Sequence, residues 1–280
     1  MFARLDHIQL LSSAPEKLID FYQDVLGMVA EQIDSDLWLC QGPQRCLLIG
    51  RKTSRVLGFS AYQCASSEDL SSLKARLLNQ QVPLAPSTSP LFSEEAFSFS
   101  DPDGNCVVFG GARRESKQGT HVREMTPLTA RLQHVTVAST HTESLVHFYS
   151  DIIGLTTSDQ MVDDTQISAC WLRASDDNEH HSFAIFRAEK NGLDHYSYEL
   201  DDWNAIRDWA DHCARKGVKL FWGPGRHGPG NNLFIFVLDP DGNKIELSAE
   251  LETMYEGRPI GTWLHEPDTL NQWGQSFMRS

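Results

Sequence analysis

Residues 225–247 read GRHGPGNNLFIFVLDPDGNKIEL, and in them a carboxylate, Glu246, stands between Ile245 and Leu247, whose apolar side chains imply burial. A carboxylate leaves water at high cost unless it is paired or bound to a metal. Two histidines in similar runs, His134 in LQHVTV and His195 in LDHYSYEL, could join it. Two neutral imidazoles and one carboxylate make the facial set that holds non-haem Fe(II) and leaves positions open for substrate and O2; Mn(II) suits the same donors. Eleven histidines allow many such triples, so spacing alone does not single this one out. His134 by itself could equally be a hydrogen-bonded strand residue.

A repeat supplies the elements that must position these groups. Residues 5–28, LDHIQLLSSAPEKLIDFYQDVLGM, align without a gap on 132–155, LQHVTVASTHTESLVHFYSDIIGL, with nine of 24 positions identical. A second matching pair, FSFSDPDGNCVVF at 97–109 and FIFVLDPDGNKIEL at 234–247, keeps order and spacing. The chain is a tandem duplication, and the expected class is α+β. Each half reads as a strand carrying a histidine (7–11; 133–138), then a helix. Ser13 or Thr140 would be its N-cap, Leu18, Phe21 and Tyr22 or Leu145, Phe148 and Tyr149 its apolar face, and Gly27 or Gly154 its stop. Strands follow at 37–40, 46–49 and 58–64, and at 168–173, 182–187 and 195–200. A second helix (67–79; 202–216) and a last strand after the Asp-Pro-Asp-Gly turn complete each half. The expected divisions are a first module at 1–115, a linker at 116–128, a second module at 129–250 and an aromatic tail at 251–280 that packs on the second module.

Comparing the halves separates chemistry from packing. Opposite His134, His195 and Glu246 the first half has His7, approximately Gly58, and Val108. Val108 and Glu246 each lie seven residues after the Asp of the turn, so this position accepts valine when only folding is at stake. The glycines around His227 (Gly223, Gly225, Gly228, Gly230) have no strand-then-helix context for a phosphate loop and instead let the backbone approach a site closely. Thr136, two residues beyond His134, points to the same side by strand alternation. Arg226 could meet a substrate anion or form a surface ion pair. DPDG at 101 and 239 lacks the later ligands of a calcium loop and reads as a turn. DQMVDDTQ at 159–166 reads as a solvated loop, and His180 is expected to face solvent or to orient its neighbour.

Composition excludes several classes. The net charge of −14 argues against nucleic-acid and anionic-membrane partners. Mean hydropathy is −0.36, and no apolar run approaches the roughly 20 residues of a membrane span. The start MFARLDH has no signal-peptide pattern. Six scattered cysteines without a CxxC pair read as reduced structural thiols. A cytoplasmic location is expected.

Together, LQHVTV...FYSDIIGL, HHSFAIF, LDHYSYEL and the 225–247 segment resemble the type I extradiol catechol dioxygenases of the vicinal oxygen chelate (glyoxalase/bleomycin resistance) superfamily. The resemblance covers essentially the whole chain. It implies two tandem modules of repeated βαβββ units, each a half-open barrel, with metal only in the second. It implies Fe(II) on His134, His195 and Glu246, and a catechol-type aromatic diol cleaved with O2 as co-substrate. His181 would be the acid/base, His227 a hydrogen-bonding partner of the substrate side, and the protein a homo-oligomer. Where the family usually has a tyrosine that bonds the bound catecholate, ten residues before the glutamate, this chain has Phe236, which cannot donate. Tyr196 or Tyr198 could compensate. The alternatives are a glyoxalase-like metal-dependent isomerase or lyase, and a small-molecule binding or resistance protein on the same fold.

Overall fold

The computed structural model describes residues 3–53, 56–111 and 128–278. All but Leu128 of the expected linker lies outside them. The first module runs β1 (Ala3–Ser12), α1 (Pro15–Asp24), β2 (Val29–Asp34), β3 (Leu37–Gly42), β4 (Arg45–Arg51), β5 (Val56–Cys64), α2 (Ser67–Asn79), β6 (Ala85–Pro86), β7 (Phe97–Ser100) and β8 (Cys106–Gly110). The second runs β9 (Arg131–Ser139), α3 (Thr142–His147, continuing as a π-helical turn over Phe148–Ile153), β10 (Thr156–Asp163), β11 (Gln166–Arg173), β12 (Phe183–Arg187), β13 (Gly192–Leu200), α4 (Trp203–Arg215), β14 (Trp222–Arg226), β15 (Leu233–Leu238) and β16 (Lys244–Ala249). The tail adds β17 (Gly261–Leu264) and a helical turn, α5 (Pro267–Leu270). The strand orders are β2-β3-β4-β1-β5-β8-β7-β6 and β14-β15-β16-β13-β9-β12-β11-β10-β17. The shared core of the second sheet is the duplicate of the first, with β17 extending its edge by pairing parallel to β10.

Local chemistry explains the helices. Asp202 and Ser66 cap α4 and α2 by accepting from Ala205 N (2.9 Å) and Asp69 N (3.0 Å). Each helix buries one stripe, Ile206, Trp209 and Cys213 in α4 and Leu70, Leu73 and Leu77 in α2. The first helix of each module is introduced differently from expectation. Ser12 and Ser139, not Ser13 and Thr140, accept from the backbone N–H two residues on, at Ala14 and His141 (both 3.0 Å), because a hydroxyl at the strand end reaches that donor in a tight turn. Gly154, at φ +88°, ends the π-helical turn where any Cβ would collide with the Arg76 guanidinium.

The repeated motifs also explain how the modules join. Tyr22 of α1 donates to Asp239 Oδ2 (3.2 Å) in the second module's turn, and Tyr149 donates to Asp101 Oδ2 (3.0 Å) in the first module's turn. Each Asp is already used by its own turn, accepting from the backbone at 103 and 105 or at 241 and 243, and from Asn105 or Asn243. The DPDG segments are therefore turns and module contacts, not cation loops. DQMVDDTQ, in contrast, is not a solvated loop. Residues 159–163 lie within β10, and the Asp159 side chain is fully buried because its charge is paired by Arg258 from the tail.

Candidate metal centre

Strand register settles which residues correspond. In the second module His134 lies opposite Ser197, and Ser197 pairs with Glu246. In the first, His7 lies opposite Ala61, and Ala61 pairs with Val108. Val108 is thus the counterpart of Glu246, as the turn spacing implied. Two residues back along each strand, the counterpart of His195 is Phe59, not Gly58. The first module's would-be site is packed with Phe59, Phe92, Ala61 and Val108, a continuous apolar cluster around His7, whose Nε2 meets Ser89 Oγ at 2.7 Å.

In the second module the three donors converge. His134 Nε2 lies 3.2 Å from Glu246 Oε2, His195 Nε2 lies 3.3 Å from the same oxygen, and the two Nε2 atoms are 3.3 Å apart. All three side chains are buried. Metal bonds of about 2.1 Å place donors about 3.0 Å apart at right angles and about 3.4 Å apart in a tetrahedron, so this triangle fits a divalent ion. The outer nitrogens explain why. His134 Nδ1 faces Gln133 Oε1 at 2.6 Å, and His195 Nδ1 faces Asp194 Oδ1 at 2.5 Å. Nδ1–H donation to those acceptors leaves a lone pair on each Nε2, aimed at a carboxylate oxygen. Acceptors converging in this way match a cation. Asn232 Nδ2 donates to the other oxygen, Glu246 Oε1 (3.1 Å), and so turns Oε2 toward the histidines.

The acceptors Gln133 and Asp194 owe their reach to the backbone. The β9–β13 pairing shifts register between Leu193 and His195 and again between Ser197 and Tyr198, leaving Asp194 and Gln133 as extra residues without a cross-strand partner. Asp6 is the same kind of residue before His7, and its Oδ1 meets His7 Nδ1 at 2.5 Å. A β-bulge kinks the strand locally and re-aims the side chain there, here onto the adjoining imidazole. Sequence reasoning missed Gln133, Asp194 and Asn232. The readable signal was a hydrogen-bond acceptor immediately before each strand histidine.

Burial alone would raise the Glu246 carboxyl, yet the facing imidazoles of His134, His195 and His227 outweigh it and hold the group well below the usual carboxylate range. Burial lowers His134, whereas for His195 the attraction of Asp194 and Glu246 outweighs burial and raises it. His181 is buried, and desolvation with the neighbouring imidazoles pushes it well below its ordinary value. Its surroundings thus favour the neutral imidazole. Its ring centroid is 4.5 Å from that of His134. His227 meets Leu270 O through Nδ1 (2.5 Å) and stacks on Phe234, leaving Nε2 3.5 Å from Glu246 Oε1.

These groups open on a narrow cavity walled by Trp171, Phe186, Trp222, Phe236 and Leu270, with His181, His227 and Asn232 as its polar lining beside the triad. Phe236 lies across from Glu246 on the neighbouring strand and contacts the His195 ring edge-on at 5.3 Å. Thr136 sits against His195 Nε2 (Oγ1, 3.0 Å). The structure does not bring the other three candidates here. Tyr196 and Tyr198 alternate to the opposite face from His195, with Tyr196 meeting Tyr22 at the module interface. Arg226 turns outward to Glu250 (2.9 Å) and over the Trp273 ring.

The model of the Glyoxalase/Bleomycin resistance protein/Dioxygenase superfamily matches residues 4–109 and 131–247. The chain belongs to this superfamily. Within it, the chain is 28% identical to metapyrocatechase 2 of Cupriavidus necator, over 96% of this chain and 88% of that one. It is 27% identical to an iron-dependent extradiol dioxygenase of Rhodococcus jostii, over 90% of each. The Mn(II)-bound glyoxalase of Novosphingobium aromaticivorans shares the superfamily fold, with a TM-score of 0.82, 22% identity, and coverage of 98% of this chain and 92% of that one. No helix among the described residues is long and apolar enough to cross a membrane.

Proposed function

We infer that the chain is an extradiol ring-cleaving dioxygenase that uses Fe(II), held by His134, His195 and Glu246, with Mn(II) able to take the same donors. The observation that carries this reading is the convergence of three acceptors at one point, beside two further histidines, in an aromatic-walled cavity. Fe(II) bound there would hold a catechol and O2 side by side and pass electrons between them.

The protein's own groups do the rest. Neutral His181 accepts a proton from a hydroxyl of the entering catechol and can return it later in the reaction. His227, oriented by the Leu270 carbonyl, presents Nε2 to the substrate side. Trp171, Phe186 and Trp222 line the cavity and offer apolar faces to an aromatic ring. No Lys or Arg stands among the described residues that line the cavity, so the substrate favoured is an uncharged catechol with a hydrocarbon substituent. Six free cysteines, five of them buried, support a reducing compartment, and we place the protein in the cytoplasm, assembled as a homo-oligomer.

The test is O2 uptake by anaerobically purified, Fe(II)-loaded protein. Alkyl- and aryl-catechols should be turned over with a product band between about 300 and 400 nm, and catechols bearing a carboxylate should be poor substrates because nothing in the cavity pairs their charge. Absence of O2 uptake with every neutral catechol overturns the reading.

A further inference from the structure

Behind His181 runs a chain of buried polar groups that the ring-cleavage reading does not use. His181 Nδ1 lies 2.9 Å from His180 Nδ1. His180 is wholly buried, not facing solvent, and its Nε2 lies 3.3 Å from Asp159 Oδ2, somewhat off the line of a good hydrogen bond. Asp159 is anchored by the tail. Its Oδ1 accepts from Arg258 Nη1 (2.8 Å) and Gly261 N (3.1 Å), and its Oδ2 from Trp263 Nε1 (2.8 Å). Arg258 also makes a two-pronged contact with Glu252, and the Glu252 carbonyl accepts from His180 N (3.0 Å). The glycines fit this packing. A Cβ at Gly261 would lie 2.3 Å from Asp159 Oδ1, and one at Gly230, whose φ is +74°, would lie 3.2 Å from His180 Nδ1.

We propose that Asp159 and His180 are positioning residues that fix the tautomer of His181, and that the C-terminal segment 258–263 holds them in place. This rests on His181 being the base in the reading above. The carboxylate opposite His180 Nε2 favours the proton on that nitrogen, which leaves His180 Nδ1 as an acceptor. His181 then donates Nδ1–H to it, and its remaining nitrogen, Nε2, carries the lone pair available to the cavity. When a substrate hydroxyl gives its proton to Nε2, the O–H bond breaks and an N–H bond forms. The imidazolium keeps its Nδ1–H bond to His180, whose ring is in turn steadied by the Asp159 charge. The logic is that of an acid/base histidine oriented by a partner whose own orientation is fixed by a carboxylate. Burial opposes the charge of Asp159, but its hydrogen bonds outweigh that and hold the group at about 2, so it stays ionised through the working range.

The wild-type protein tests the tautomer without turnover. Its ¹⁵N-histidine spectrum, metal-free and Zn(II)-loaded, should show His181 protonated at Nδ1 and bare at Nε2; the reverse assignment overturns the proposal. In Fe(II)-loaded protein His180→Phe should lower kcat about 100-fold or more, within the range expected for a general base, with Fe(II) affinity and catechol KM within about threefold of wild type. His180→Gln, which offers an acceptor to His181 and a donor to Asp159, should recover most of that loss. Asp159→Asn should lower kcat in the same selective way. Wild-type kcat in both His180→Phe and Asp159→Asn overturns the proposal while leaving the dioxygenase reading intact. A wild-type enzyme that consumes no O2 overturns the functional reading instead, and the ¹⁵N assignment still decides the tautomer.

Discussion

Replacing Asp194 by alanine removes the acceptor behind His195 and leaves the three proposed metal donors themselves in place. The bond at stake is a 2.5 Å contact between a carboxylate and the Nδ1 of a buried imidazole. Hydrogen bonds to charged groups contribute about 1.5–3 kcal/mol. If that whole amount supports the metal-binding orientation of His195, affinity falls about 10- to 150-fold, in keeping with the roughly 10–100-fold typical of residues that orient metal ligands. The duplication provides the control, because Asp6 makes the same 2.5 Å contact with His7 in a module whose corresponding positions are Phe59 and Val108. Asp6→Ala should therefore leave metal affinity unchanged. Anaerobic titration of metal-free protein with Fe(II), in competition with a chromophoric chelator, measures both variants. Unchanged affinity in Asp194→Ala, or an equal loss in Asp6→Ala, would refute the reasoning.

Phe236→Tyr sets a hydroxyl on the wall beside Glu246 and His195; by supplying a donor worth about 1–3 kcal/mol, it should raise kcat/KM for catechols about fivefold or more in steady-state assays. Glu199 predicts a pH dependence of stability. Burial raises its carboxyl from 4.5 to about 7 despite hydrogen bonds from Ser248 and Leu251 N. The folded state thus holds a proton that the unfolded state has lost, and stability falls as pH rises from about 4.5 to 7, then levels off, by at most about 3 kcal/mol. Denaturant melts of Glu199→Gln should lack this slope. Arg226→Ala should leave the KM for neutral catechols unchanged, because the side chain is spent on Glu250 outside the cavity.

The duplicated architecture was legible because the repeat preserves what joins the modules, Tyr22 and Tyr149 with Asp239 and Asp101. Glu246 was legible because its copy is Val108, so the carboxylate stood out as unnecessary for folding. What stayed hidden depended on partners distant in the chain or on a change in strand phase. Asp159 looked like part of a solvated acidic loop, since the Arg258 that neutralises it lies 99 residues away. Gln133 and Asp194 were invisible as orienting groups because regular alternation would turn them away from the next residue, and only the bulges bring them to the imidazoles. Tyr196 and Tyr198 erred in the other direction: alternation from His195 already put them on the far face, where Tyr196 meets Tyr22 of the first module.

Metal stoichiometry in three forms of the protein tests the central claim most directly. After anaerobic loading with Fe(II), or with Mn(II) read by electron paramagnetic resonance, wild-type protein and His7→Ala should each retain one tightly held ion per chain. Glu246→Val, carrying what the first module has at position 108, should retain none while remaining folded. Tight retention by Glu246→Val, or loss of the ion from His7→Ala, would contradict the account.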